Sequence, residues 1–198
     1  MGRLHRIIKE NTDYHVYNKI NNHRSLNLAT DTFNYFRYLL IELKREFDLN
    51  IYGFCLMTNH YHIQIRTNKA NLDQAMKFFG ERYARYINKH TNATGPVFSS
   101  RYKAKEIANE AYFLQVLRYI HLNPVEAGLC KYPEEYIWSS MYDYTNGTFT
   151  VVELDEILDK FISLDDFIHY HYRGNSRLIK RFYSKKHVPN MIDKTTVI

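Results

Sequence analysis

An α+β domain built around an antiparallel hairpin is what this sequence predicts, and three observations carry the prediction. Ile51-Tyr52-Gly53-Phe54-Cys55-Leu56-Met57 is a nearly unbroken apolar run, the mark of a strand buried on both faces. Asn59-His60-Tyr61-His62-Ile63-Gln64-Ile65-Arg66 alternates polar with apolar residues, the mark of a strand with one apolar face. Around this hairpin the periodicities read in the order strand, helix, strand, strand, helix, strand. The chain has 198 residues, 45% of them apolar, which is enough for a proper core. We expect one domain over residues 1–147 and a helical, basic C-terminal extension over 148–198.

Taken in order, Tyr14-His15-Val16-Tyr17-Asn18-Lys19-Ile20 alternates well enough for a first strand, and the polar cluster from Asn21 to Arg24 ends it. From Asp31, expected as an N-cap, Phe33, Phe36, Leu39, Leu40, Leu43 and Phe47 recur at helical spacing, with Glu42, Lys44, Arg45 and Glu46 outside. The hairpin strands follow over 49–57 and 59–67. Asn71 is the expected cap of the next helix, whose stripe Met76, Phe79, Tyr83, Tyr86 and Ile87 is core; Lys77, Arg82, Arg85 and Lys89 form a basic outer face. After a turn cluster at Asn92 to Pro96, Arg101, Lys103 and Lys105 alternate with Tyr102 and Ala104. A fourth strand there would present three cations on one face, either a phosphate track or a solvated edge. A further helix begins behind Asn109 and is expected to stop before Pro124. Phe113, Val116, Leu117 and Ile120 form its core stripe, and Gln115, Tyr119 and Asn123 line up beside it at i, i+4 and i+8. The segment from Tyr132 to Tyr144, with Trp138, reads as a loop and short helix closing the core. Beyond it an acidic stretch with Asp155, Asp159 and Asp165 gives way to a basic one with Arg173, Arg177, Lys180, Arg181, Lys185 and Lys186. Helices are expected there over 155–161 and 164–172.

Lysine and arginine number 27 against 21 aspartate and glutamate, a net charge of +6 that suits a polyanionic partner. The 18 tyrosines and 12 phenylalanines supply stacking surfaces for unpaired bases as readily as they fill a half-wet core. Cys55 and Cys130 are the only cysteines, so neither a zinc knuckle nor a disulfide framework is supported, and a reducing cytoplasm fits. The N-terminus is polar, and no apolar run approaches the ~18 residues of a membrane span. We therefore expect no export signal and no membrane helix.

The chemistry concentrates in the second hairpin strand. There His60, His62, Gln64 and Arg66 leave one face while Tyr61, Ile63 and Ile65 line the other. Neighbours on one face stand about 7 Å apart, so two imidazole nitrogens can lean together onto one cation. The same pattern also suits a strand whose polar face is merely solvated.

Three motifs in fixed order then carry a family resemblance: Met57-Thr58-Asn59-His60-Tyr61-His62, Gly95-Pro96-Val97-Phe98 followed by Arg101-Tyr102-Lys103, and Tyr119-Ile120-His121-Leu122-Asn123-Pro124-Val125. Together they resemble the HUH single-tyrosine transposases, particularly the REP-associated, IS200-like type, over about residues 14–144. The resemblance implies a ferredoxin-like antiparallel sheet with helices packed on one face, in keeping with the element order above. It places the nucleophile on Tyr119 and the metal ligands on His60 and His62, with Asn123 completing the shell. The tail beyond Tyr144 has no counterpart in it.

What the resemblance implies is a metal-dependent endonuclease and strand transferase that cleaves and rejoins single-stranded DNA through a 5′-phosphotyrosine, with hairpin-forming DNA as the recognition element. A phenol ordinarily keeps its proton at neutral pH, so a nearby metal or base is needed to favour attack. Mg2+ or Mn2+ is expected. Arg101, Lys103 and Lys105, together with Arg82 and Arg85, are the expected contacts to the nucleic-acid backbone. The place of action would be the cytoplasm, on the nucleoid, and since relatives include dimers a homodimer is open to the chain. Two other readings stand beside this one: a non-catalytic binder of structured nucleic acid, and a metal phosphodiesterase whose nucleophile is water.

Overall fold

The computed structural model describes residues 7–21, 30–147 and 151–174. Strands β1 (Thr12–Lys19), β2 (Leu49–Leu56), β3 (His60–Thr67) and β4 (Lys103–Ile107) form one sheet in the order β2-β3-β1-β4, and every neighbouring pair is antiparallel. Helix α1 (Thr30–Phe47) links β1 to β2, and α2 (Leu72–His90) links β3 to β4. This is the ferredoxin-like arrangement. The histidine strand β3 is flanked on both sides, which fits its alternation beside an all-apolar partner.

The two crossover helices share one face of the sheet. Phe36 of α1 meets Phe54 and Tyr61 of the sheet and Phe79 and Tyr83 of α2, with ring centroids 5.4–6.1 Å apart. All five rings are buried, each worth roughly 1.5–3 kcal/mol for a Phe-sized side chain. Tyr61 and Tyr83 are therefore packing residues, whereas Tyr86 stacks in the open between Tyr35 and His90. Two expected caps differ. Asp31 lies inside the first turn of α1. Asn71 precedes α2 but makes no side-chain cap; its Nδ2 donates to the Phe47 carbonyl at 2.9 Å, tying the end of α1 to the start of α2.

Helix α3 (Glu110–Glu126) lies across the opposite face, chiefly over β2 and β3. It starts as the sequence indicates: the Asn109 side chain accepts from the Tyr112 N–H at 2.9 Å. Its stripe of Phe113, Val116, Leu117 and Ile120 is buried against the sheet. The close approach depends on Gly53, where a Cβ would stand 2.5 Å from Leu117 Cδ1. A bulge between Ile51 and Gly53 sets Tyr52 against Phe113 at 5.0 Å in the same layer. The helix also runs through Pro124 instead of stopping before it. Proline removes one donor and crowds the carbonyl four residues back. So near the end the loss is confined to the last turn, where the Ala127 and Gly128 N–H groups bond the Asn123 and Val125 carbonyls. Gly128, at φ +71°, then turns the chain.

The outer edge of β2 is covered by the segment that follows. Leu56 N–H bonds the Trp138 carbonyl, Ser140 Oγ takes the Phe54 N–H at 2.8 Å, and Glu153 N–H bonds the Ile51 carbonyl. Ser140 opens α4 (Ser140–Asn146), capped by Ser139. The chain divides into two compact units between Leu154 and Asp155. In the second, α6 (Leu164–Tyr172), the last of three short helices after α4 and α5 (Leu154–Leu158), is capped by Ser163 and buries Phe167 against Phe161. Thr148, where composition shifts, and the basic residues from Arg177 to Lys186 lie outside the described residues. Among the described residues no helix is long and apolar enough to cross a membrane.

Candidate functional site

Strand register decides which side chains share the face under α3. Tyr17 of β1 pairs with His62, and His15 with Gln64; on the other side Lys103 of β4 pairs with Tyr17, and Lys105 with His15. Cross-strand partners point to the same face. Two rows therefore cross the sheet, Lys103–Tyr17–His62 and Lys105–His15–Gln64. Because α3 lies over the β2 and β3 half, a cleft of about 460 Å³ opens beside it. Its sheet side carries His15, Tyr17, His62 and Lys105, and its helix side Tyr112, Gln115 and Tyr119.

The middle of the polar face of β3 is not solvated. His62 is 5% exposed and Gln64 wholly buried, with Gln64 Nε2 donating to the Phe113 carbonyl at 3.2 Å. Tyr119, by contrast, is 44% exposed although the stripe beside it is core. Its ring stands edge-on to His62 at 5.4 Å and to His15 at 5.8 Å. One turn further on, Asn123 Nδ2 donates to the Tyr119 carbonyl at 2.7 Å. The Asn123 side chain also acts on both imidazoles, favouring their protonated forms.

The two histidines have their rings 4.9 Å apart. His60 Nδ1 bonds Asn59 Oδ1 at 2.6 Å, and His62 Nδ1 bonds His15 Nε2 at 2.9 Å. His62 Nε2 is buried with no hydrogen-bond partner; Asn123 is near enough to influence it without closing a bond on it. Burial, then the neighbouring His15 and His60, push His62 down to about 3; burial, then Lys105, push His15 down to about 4. Burial lowers His60 as well, against the opposing pull of Asn123.

These shifts carry a pH dependence of stability. Both folded values lie below the ordinary ~6.5 of the unfolded chain, so the unfolded state binds more protons as the pH falls. The stabilisation is complete above about pH 6.5 and is lost as the pH drops toward 4 and then 3, by at most about 1.4 kcal/mol per unit for each histidine. Thermal melts of the metal-free protein from pH 7.5 to 4.5 should show a falling midpoint, and His62→Leu should flatten the trend. A midpoint that rises on acidification would contradict the burial of the pair.

Among the expected nucleic-acid contacts, Lys105 lines the cleft, and Lys103 Nζ lies 6.0 Å over the ring of Tyr17, which also lines it. Arg101 does not join them. The strand begins at Lys103, and Arg101 leans toward Asp73 of α2 at 3.7 Å. Arg82 and Arg85 sit on α2, across the sheet from the histidines, with Arg82 over the Phe78 ring at 4.3 Å. The three cations of the fourth strand are thus two on one face and one off the strand. Neither His15 nor Tyr17 stood out in the sequence; the shared phase of His15, Tyr17 and Lys19 in β1 was the available signal.

The profile of the family described as Transposase IS200 like matches residues 8–123, ending on Asn123. The chain belongs to the IS200-like transposase family. The transposase also resembles, in fold, the REP-associated tyrosine transposase solved bound to a REP hairpin: TM-score 0.63 at 18% identity, covering 76% of this chain and 90% of that one. A second likeness, to a Deinococcus radiodurans R1 protein assigned as a transposase, has a TM-score of 0.41 at 16% identity over 61% of this chain and 94% of that one, too loose an overlap to bear on the argument. No curated protein matches the sequence.

HUH transposases generally use a divalent metal, and the residues present fit one. Among the described residues no three His, Cys, Asp or Glu side chains gather for a metal. The candidate donor set is instead two imidazoles and an amide, and it includes the buried, unpartnered Nε2 of His62.

Proposed function

We propose that this transposase cuts and rejoins single-stranded DNA beside a hairpin through a 5′-phosphotyrosine on Tyr119, at a Mg2+ or Mn2+ ion held by His60, His62 and Asn123. The observation that carries the reading is a convergence within one chain: an exposed tyrosine edge-on to His62, one helical turn from an asparagine whose side chain acts on both His60 and His62. The hairpin enters through the structural neighbour, which was solved with one.

The bound ion would supply charge neutralisation and polarisation of the scissile phosphate. The residues do the rest. Tyr119 Oη attacks phosphorus and loses its proton as the new P–O bond forms; the bond from phosphorus to the 3′ oxygen breaks, and that oxygen leaves and takes up a proton. The 5′ side of the break stays on the tyrosine. Attack by a 3′ hydroxyl reverses the step and frees Tyr119, so the bond is conserved and no other energy source is needed. The cleft beside α3 suits one unpaired strand, because a duplex would hold the phosphate and its bases away from so narrow a site.

Lys103 and Lys105 extend from the cleft along β4 as the backbone contacts nearest the cut. Replacing both with glutamine should weaken binding to all single strands alike and lower the salt slope by ~0.7 per lost phosphate contact. Affinities measured at low and high salt would test this; an unchanged slope would move the contact elsewhere. Arg101, Arg82 and Arg85, on the far side of the sheet, would meet a part of the DNA distant from the cut.

The test of the function is a labelled single-stranded hairpin with Mn2+ and the intact protein. An adduct that survives a denaturing gel, labelled through the 5′ side of the break, is expected. Cleavage without an adduct would favour water as nucleophile, and binding without cleavage a pure binder.

A further inference from the structure

We infer that Asn59 and His15 are positioning residues that lock His60 and His62 into one tautomer, proton on Nδ1, so that both Nε2 lone pairs turn to the same point. The inference rests on the metal reading above and adds two residues to it.

A neutral imidazole carries one proton and one lone pair, and the partner of one nitrogen decides the state of the other. For His60 the case is closed by chemistry: Asn59 Oδ1, 2.6 Å from Nδ1, can only accept. The proton is on Nδ1 and Nε2 bears the lone pair. For His62 the partner is His15 Nε2 at 2.9 Å, and one of the two nitrogens must donate. Were His15 the donor, the proton of His62 would sit on Nε2, the buried nitrogen that has no hydrogen-bond partner, and no lone pair would be left there for the cation of the proposed site. With His62 as donor, His15 keeps its own proton on Nδ1, and His62 Nε2 presents a lone pair. Asn123 Nδ2 is held by the Tyr119 carbonyl at 2.7 Å, which leaves the amide oxygen to complete the set. Two lone pairs and an amide oxygen, with no donor among them, describe a site for a cation.

His15 is held firmly enough for the task. It is 8% exposed, paired across the sheet with Gln64 and Lys105, and its ring packs against Tyr17 at 5.2 Å and His62 at 5.0 Å. Carboxylates are common partners of ligating histidines. A neutral imidazole orients His62 equally well and adds no negative charge where a phosphate must approach.

The experiment reads the metal-free protein first. Long-range proton–nitrogen NMR of the histidine rings should show His60 and His62 both protonated at Nδ1. His15→Phe, which keeps a ring but removes the acceptor, should release His62 from that state, leave His60 in it, and weaken Mn2+ binding by about 10- to 100-fold in calorimetry. His15→Gln, which restores an acceptor oxygen, should recover much of the affinity, and Asn59→Ala should release His60 alone. His62 protonated at Nε2 in the wild type, or undiminished Mn2+ affinity in both His15→Phe and Asn59→Ala, would overturn the inference. If His15→Phe does not unfold cooperatively, the wild-type tautomers and Asn59→Ala decide. None of these readings involves DNA. Correct tautomers without an adduct would sink the role of Tyr119 alone, and an adduct from a protein with His62 protonated at Nε2 would sink this inference alone.

Discussion

Tyr119→Phe is expected to bind the hairpin as the wild type does and to form no covalent adduct, a loss on the order of 10⁴-fold or more in cleavage. The substitution removes one oxygen and leaves the ring in its edge-on place between His15 and His62. Metal affinity and the melting midpoint should therefore stay near wild type. Gel shift and denaturing gel on the same samples separate binding from attack. If the variant still becomes attached, another tyrosine is the nucleophile, and Tyr17 and Tyr112 of the same cleft are next in line.

The double variant His60→Ala, His62→Ala should lose metal-dependent cleavage completely while keeping its fold. Its stability will not be untouched, because removing His62 leaves His15 Nε2 without the partner 2.9 Å away in a nearly closed space. A cost of about 1–3 kcal/mol follows for that buried, unpartnered acceptor. The decisive contrast is the response to Mn2+. At 100 times the dissociation constant the wild type should gain about 2.7 kcal/mol, and the variant nothing. Circular-dichroism melts with and without Mn2+ give both numbers, and a variant still stabilised by Mn2+ would place the cation elsewhere.

How much of this was legible in the sequence follows from the range of the forces involved. The histidine strand, its apolar partner and the stripe of Gln115, Tyr119 and Asn123 are local periodicities, and they appear in the structure where the residues put them. His15 was not legible as a site residue. Its role depends on β1 lying next to β3 in one register, and a strand pattern carries neither neighbour nor register. The burial of His62 was hidden for a similar reason: alternation shows that a face is polar, not that a helix will cover it. Pro124 misled because a stop rule that holds for helix interiors loses force in a last turn already ending. Arg101 was grouped with Lys103 and Lys105 by spacing, while Asp73, far off in the chain, draws it to the other side.

One amide joins the two halves of the site. The nitrogen end of Asn123 grips the carbonyl of Tyr119, and the same side chain acts on the imidazoles of His60 and His62. The two ends cannot be adjusted separately. Aspartate here would offer a charged oxygen but no donor for the Tyr119 carbonyl, and glutamine would keep both groups on a lever one methylene longer. In the proposed site the side chain would work as a yoke, a pull of the cation on its oxygen being handed to the peptide unit of Tyr119. Variation at this single position would alter grip on the cation and aim of the tyrosine together.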